Sequence, residues 1–197
     1  LSFHSATPPK EKVAALSPSV RHILGISEEV PPHLQHYLQE ERKIDLLLTN
    51  PYLRSVCYEV GGRTYTAIGF SNRAGGYELR DDKTFKGTIA PKDISVISGE
   101  TNNAPHCIFE GFMDFLSYLT MKGKELLPCL VLNSVSNIHR AVAYLREHHI
   151  AYVRAFFDND EAGRQALLVL QSAGMSVEDM EQKQKKPQSV VKRGFRR

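Results

Sequence analysis

The hydrophobic pattern changes period along this chain, and each change marks a different kind of element. "SVCYEV", "RTYTAIGF" and "GYELR" are short, aromatic and β-branched runs with a period near two, the mark of strands with one buried face. Gly61-Gly62 separates the first two, a hairpin signal. Ahead of them, "PPHLQHYLQEERKI" opens on proline and repeats Leu34, Tyr37, Leu38 and Ile44 at helical spacing. Together these stretches predict a small α+β, mostly antiparallel lobe over residues 32–102, ending near "DISVISG".

From about residue 104 the rhythm lengthens. "HCIFE", "PCLVLN" and "IAYVRAFF" read as strands. Between and after them, "GFMDFLSYLTMKG", "SNIHRAVAYLREHH" and "DEAGRQALLVLQSAG" read as helices, two of them closed by Gly123 and Gly174 and one capped by Ser136. Strand–helix alternation at this spacing predicts right-handed crossovers and an α/β domain over 103–178, a parallel sheet with helices on both faces. After Gly174 the pattern stops. Residues 1–31, rich in serine and proline, read as linker with one short helical turn near Val20–Leu24. Because the chain begins with Leu1 rather than Met, it is expected to be a piece of a longer one.

Composition changes this picture little. Apolar residues make up 42% and charged residues 24%, ordinary for a globular protein. No apolar run approaches a membrane span or the core of a signal peptide, so a cytoplasmic protein without a membrane partner is expected. Cys57, Cys107 and Cys129 stand singly in apolar runs, which suits buried small hydrophobes rather than disulfides or a zinc knuckle. Charge is more telling. Residues 181–197 hold seven Lys/Arg against Glu181, a net of +6; the whole chain carries +3, leaving −3 for residues 1–180. The basic balance belongs to a tail over 179–197, too poor in apolar residues to fold alone and expected to be disordered.

The candidate chemistry lies at strand ends, where open parallel sheets gather their ligands. Glu110 follows "CIF", and Asp158 and Asp160 follow "RAFF". If the first and third strands of the domain are neighbours, the three carboxylates converge. Converged carboxylates repel unless a cation neutralises them, and oxygen donors without His or Cys suit Mg²⁺ or Mn²⁺ rather than zinc. Asp160 is equally a good N-cap for the last helix. Gly111 and Gly163, each beside an acid, would let a phosphate or metal approach the main chain.

"FEGFMDFLS" and "FFDNDEAGRQA" together resemble the Toprim fold, and within it the catalytic cores of DnaG-type bacterial DNA primases, whose blocks read E-G-Y-M-D and D-x-D-x-A-G. Here they stand as Glu110-Gly111-Phe112-Met113-Asp114 and Asp158-Asn159-Asp160-Glu161-Ala162-Gly163. "AIGFSNRAGG" is similar to the primase G-F-x-x-R turn, "FKG" at Phe85-Lys86-Gly87 to F-x-K-G, and "LNSVSN" to the Ser/Gly-rich loop between the acidic blocks. The resemblance covers residues 33–178. The family's zinc ribbon has no counterpart here, nor has its further acidic segment beyond the last helix.

The resemblance implies metal-dependent synthesis of short primers on single-stranded DNA, for replication or mobilisation of DNA. Glu110, Asp158 and Asp160 would hold one or two Mg²⁺ or Mn²⁺ ions, with Asp114 one helical turn on as a further ligand or an exposed helix acid. Arg73 and Lys86, flanked by glycine turns, are the implied phosphate contacts, with Lys92 and Asn133 as further nucleotide contacts and Gly111 and Gly163 as backbone near phosphate. Residues 54–92 hold seven Lys/Arg against four acids. The expected partners are a single-stranded DNA template, nucleoside triphosphates, and a helicase or an upstream zinc-binding domain. Tyr65, Phe70 and Tyr77 suit core packing better than base stacking. A non-enzymatic Toprim accessory that binds nucleic acid, and a Toprim nuclease, are the alternatives. A dehalogenase-like phosphatase fits poorly, since its D-x-D follows the first strand of its domain and Asp158 follows the last.

Overall fold

The described residues fold as two five-stranded sheets that share a core. The computed structural model describes residues 20–99, 104–123 and 127–181. The first sheet is an antiparallel meander, β1 (His22–Ser27), β2 (Leu53–Val60), β3 (Arg63–Ser71), β4 (Tyr77–Arg80) and β5 (Lys86–Ile89), in that spatial order. Val60 pairs with Arg63 across the Gly61-Gly62 turn, where both glycines take positive φ (59° and 72°). Only a turn of that hand continues the twist of the flanking strands, and glycine adopts it without a Cβ clash.

Two readings of this lobe need correction. The linker expected over 1–31 contains β1, six exposed residues that pair with β2 at every position but Leu24, where the register shifts. An edge strand exposed on both faces has no hydrophobic alternation to betray it. The helix expected from Pro32 is regular only over α1 (Pro32–His36). It widens into a π turn over Tyr37–Glu41, with Arg42 N–H donating to the Tyr37 carbonyl, and ends where Lys43 turns to φ 55°. A short helix, α2 (Leu46–Thr49), is capped by the Asp45 side chain before β2 begins.

The second sheet runs β10 (Ser176–Asp179), β9 (Tyr152–Phe156), β7 (His106–Phe109), β8 (Cys129–Val131), β6 (Ser95–Ile97). Helices α3 (Phe112–Lys122), α4 (Ile138–Glu147) and α5 (Glu161–Ser172) connect and flank its parallel strands. The expected fold class holds, a sheet of parallel strands with helices behind an antiparallel lobe. Its edges differ from the sequence expectation: β6, inside the span expected for the first lobe, pairs antiparallel with β8, and β10 continues the sheet past Gly174. Both edge strands are three or four residues long, too short to show a period. The tail from residue 182 onward lies outside the described residues.

One apolar cluster joins the two sheets. Leu34, Leu38, Ile68 and Phe70 of the first lobe pack with Phe109, Phe112, Phe115 and Leu116 of the second. The Phe70 and Phe112 rings stack at 5.2 Å, and Asp45 N–H donates to Thr120 Oγ1 at 3.0 Å. Phe70 is thus a core residue, as its spacing suggested. A second cluster, built on Ile108, Leu130 and Val153, fills the far side of the parallel sheet beneath α4 and α5.

Candidate functional site

Strand order decides what meets. β7 is the centre of the second sheet, with β8 on one side and β9 on the other, so the chain reverses its direction of travel across the sheet at β7. Such a switch point leaves a crevice outside the carboxyl ends of the strands. Glu110 leaves β7 there, Asp158 follows β9, and Asn133 follows β8. The first and third strands of the domain are indeed neighbours, Phe109 standing opposite Phe156.

The crevice is a cleft of about 500 Å³ between the lobes. Glu110, Gly111, Asp114, Asn133 and Asp158 line it from the parallel sheet; Arg42, Glu78, Arg80, Lys86 and Lys92 line it from the other side. Of the residues singled out from sequence, the structure brings Glu110, Asp114, Asp158, Lys86, Lys92, Asn133 and Gly111 together. Asp160, Gly163 and Arg73 are not in the lining.

The electrostatics of the acidic wall follow from crowding. Burial raises the pKa of Glu110, and the charges of Asp158, Asp160 and Asp114 raise it further against a backbone N–H of Asp158 that favours the ionised form. Asp114 is raised by burial too, against the Gly111 N–H that its Oδ2 accepts at 3.1 Å and the nearby charges of Arg42 and Lys86. Glu110 Oε2 is buried without a hydrogen-bond partner among the described residues. A buried acceptor among like charges is relieved by a cation, and carboxylate oxygens suit a hard divalent one. Among the described residues no three His, Cys, Asp or Glu side chains stand close enough to enclose an ion by themselves.

Asp160 takes the role that sequence had left as its alternative. Its Oδ1 accepts the Gly163 N–H at 2.8 Å and caps α5. Gly163 is glycine because a Cβ there would overlap the Asp158 carbonyl oxygen. The glycine therefore lets α5 start directly against the loop that carries Asp158.

Arg73 stands elsewhere. Asn72 Oδ1 accepts the N–H groups of Ala74 and Gly76, and its Nδ2 donates to the Pro91 carbonyl, fastening the turn after β3 to the segment that links the lobes. Arg73 Nε then meets Asp93 Oδ2 at 3.0 Å, with Arg140 at 3.5 Å from the other oxygen. Burial raises the Asp93 pKa, but the Arg73 hydrogen bond, the Ile94 N–H and the two arginine charges outweigh it and hold the group below its ordinary value. Arg73 thus ties a lobe to the linking segment instead of lining the cleft.

Two cleft cations escaped the sequence. Arg80 lies opposite Lys86 in the β4–β5 ladder and Glu78 opposite Thr88, so alternation puts all four on one face. Arg80 Nε donates to Tyr37 Oη at 3.2 Å, and Thr88 Oγ1 to Glu78 at 2.9 Å. The register of "YELR" against "KGTI" was the available signal, but "KGTI" did not read as a strand. Arg42, at the exit of the π turn, also lines the cleft.

Residues 23–90 match the model of a domain of unknown function (DUF8464), which spans most of the first sheet. No curated protein and no solved structure matches the chain. Residues 107–187 match the Toprim-like model, with Glu110, Asp158 and the parallel strands inside the matched span, and the chain therefore carries a Toprim-like domain.

Proposed function

We propose that this chain is a primase-like core that joins nucleotides on a single-stranded DNA template with the help of Mg²⁺ or Mn²⁺. Toprim domains occur in enzymes acting on nucleic acids and generally bind divalent metal ions, and both properties are general to the fold. The narrower reading rests on one observation, a cleft with walls of opposite sign. Arg42, Arg80, Lys86 and Lys92, with Glu78 among them, stand on one side, and Glu110, Asp114 and Asp158 on the other. A substrate that is itself polyanionic and carries divalent ions is complementary to both walls, and 500 Å³ lies within the usual range of small-molecule sites, about 300–1,000 Å³.

In this reading Lys86 and Arg80 bind phosphate oxygens, Arg80 being held at Nε by Tyr37 Oη with its outer nitrogens left for the ligand. Glu110 and Asp158 would hold the ion, which when bound would offset charge at the phosphate under attack. Asp114, fixed by the Gly111 N–H, adds negative potential from the first turn of α3.

The test is incubation of the protein with labelled nucleoside triphosphates, single-stranded DNA and Mg²⁺ or Mn²⁺. Labelled oligonucleotides that require template and metal support synthesis. Shortening of the template would instead identify a nuclease, and unchanged nucleotides with DNA bound would identify an accessory protein.

A further inference from the structure

We infer that Asn133 supplies an amide-oxygen ligand to the divalent cation of the Glu110 site, a role that nothing in its residue type announces. The inference rests on the metal site of the proposed function and adds a residue to it.

The orientation of the amide is determined by its neighbours. Asn133 Nδ2 donates to the Asp93 carbonyl at 3.0 Å and to Ser95 Oγ at 2.9 Å. A carbonyl can only accept, and Ser95 directs its own hydroxyl proton to the Ser71 carbonyl at 2.7 Å. Both acceptors therefore require the N–H₂ end of the amide, and a flipped side chain would face oxygen to oxygen. Oδ1 is left on the other side, buried and without a partner among the described residues.

Placement then links it to Glu110. β7 and β8 are parallel neighbours, Phe109 stands opposite Val131, and Leu132 N–H donates to the Phe109 carbonyl at 2.9 Å. Glu110 is the first residue past Phe109 and Asn133 the second past Val131, and both line the cleft. Glu110 Oε2 and Asn133 Oδ1 are two of the three unpartnered buried side-chain polar atoms among the described residues. Two buried oxygens on adjacent strand ends, both acceptors when Glu110 is ionised, share one need. A phosphate oxygen cannot meet it, being an acceptor itself. A small cation can, and carboxylate with amide carbonyl is an all-oxygen pair suited to Mg²⁺ or Mn²⁺. Asn133 also holds φ at 63°, a conformation that Asn tolerates better than most residues. The sequence "LNSVSN" thus ends its strand with a residue able both to turn left-handed and to offer an oxygen.

Mn²⁺ affinity of the nucleotide-free protein, followed by the electron paramagnetic resonance of free Mn²⁺, tests this. Asn133→Ala should weaken binding by at least about tenfold. Asn133→Asp keeps an oxygen and loses both Nδ2 donations, so it should bind Mn²⁺ at least as tightly as the parent chain. If Asn133→Asp binds Mn²⁺ as weakly as the Ala variant, or Ala binds like the parent, the amide is a latch between the lobes and the assignment is wrong. If the Ala variant does not fold, weakened binding by Asn133→Asp alone overturns it. Glu110→Gln separates the two levels: loss of Mn²⁺ there with no effect at Asn133 removes only the Asn133 ligand, whereas unchanged binding in Glu110→Gln removes the metal site itself.

Discussion

In the first sheet every strand lies beside its neighbour in sequence, whereas the second runs β10-β9-β7-β8-β6, with parallel strands consecutive in sequence joined through a helix. The two therefore build their walls of the cleft by different means. Parallel strands end on one edge, so Glu110, Asn133 and Asp158 are delivered by backbone, each the first or second residue past its strand. An antiparallel meander has no common edge. Its cations come from a strand face (Arg80, Lys86), the linking segment (Lys92) and the exit of a π turn (Arg42), at the tips of long side chains. It follows that the acidic wall is coupled to fold stability and the basic wall is coupled mainly to ligand.

That difference orders the expected effects of substitution. The largest belongs to Gly163→Ala. Its Cβ meets the Asp158 carbonyl, so either α5 or the Asp158 loop must move, and chemical denaturation should report a loss of about 3 kcal/mol. A stability unchanged by this substitution would mean that the acidic loop is not held by backbone packing.

Asp93→Asn comes next, because it leaves Arg73 and Arg140 facing an amide at the joint between lobes. A loss of about 2 kcal/mol is expected at neutral pH. The sign with pH follows from the depressed pKa. The stabilisation is present above the unfolded-state value of about 3.9 and is lost as pH falls through the lower folded value. Melting curves of the two proteins should therefore converge below about pH 4.

Asp160→Ala removes the α5 cap and should cost about 1 kcal/mol, which Asn at the same position restores, since Asn caps as well as Asp. Equal losses in both variants would show that the carboxylate charge, not the cap, matters there.

The smallest stability effects fall on the basic wall. Arg80→Ala or Lys86→Ala should change folding stability by less than about 0.5 kcal/mol. Each should nevertheless weaken binding of single-stranded DNA and lower the slope of log affinity against log salt by about 1. Arg73→Ala, whose partner is Asp93, should show the opposite profile, a stability loss with an unchanged salt slope.

How much of this the sequence disclosed follows the same division. The parallel sheet is legible because β7 and β8 are largely buried apolar runs and β9 alternates buried with more exposed residues, each followed by a helix, and the acids after β7 and β9 stand in recognisable blocks. What was not legible had no period to show. β1 is exposed throughout, β6 has three residues, and Arg42 sits at the exit of a π turn. Arg73 misled for a physical reason. A glycine-flanked arginine on a turn has the look of a phosphate ligand, but Asn72 fastens that turn to the linking segment and Asp93, 20 residues on, claims the guanidinium.

The central claim is that both walls serve one ligand, and it is tested most directly by the ³¹P relaxation of a nucleoside triphosphate bound to the protein with Mn²⁺. The account predicts strong paramagnetic broadening of the phosphate signals that requires Glu110 for the metal and Lys86 or Arg80 for the nucleotide, so that Glu110→Gln and Lys86→Ala each abolish or weaken it. Triphosphate bound with full affinity in Lys86→Ala and Arg80→Ala, or unbroadened when Mn²⁺ is bound to the parent chain, would show that the two walls do not share a substrate.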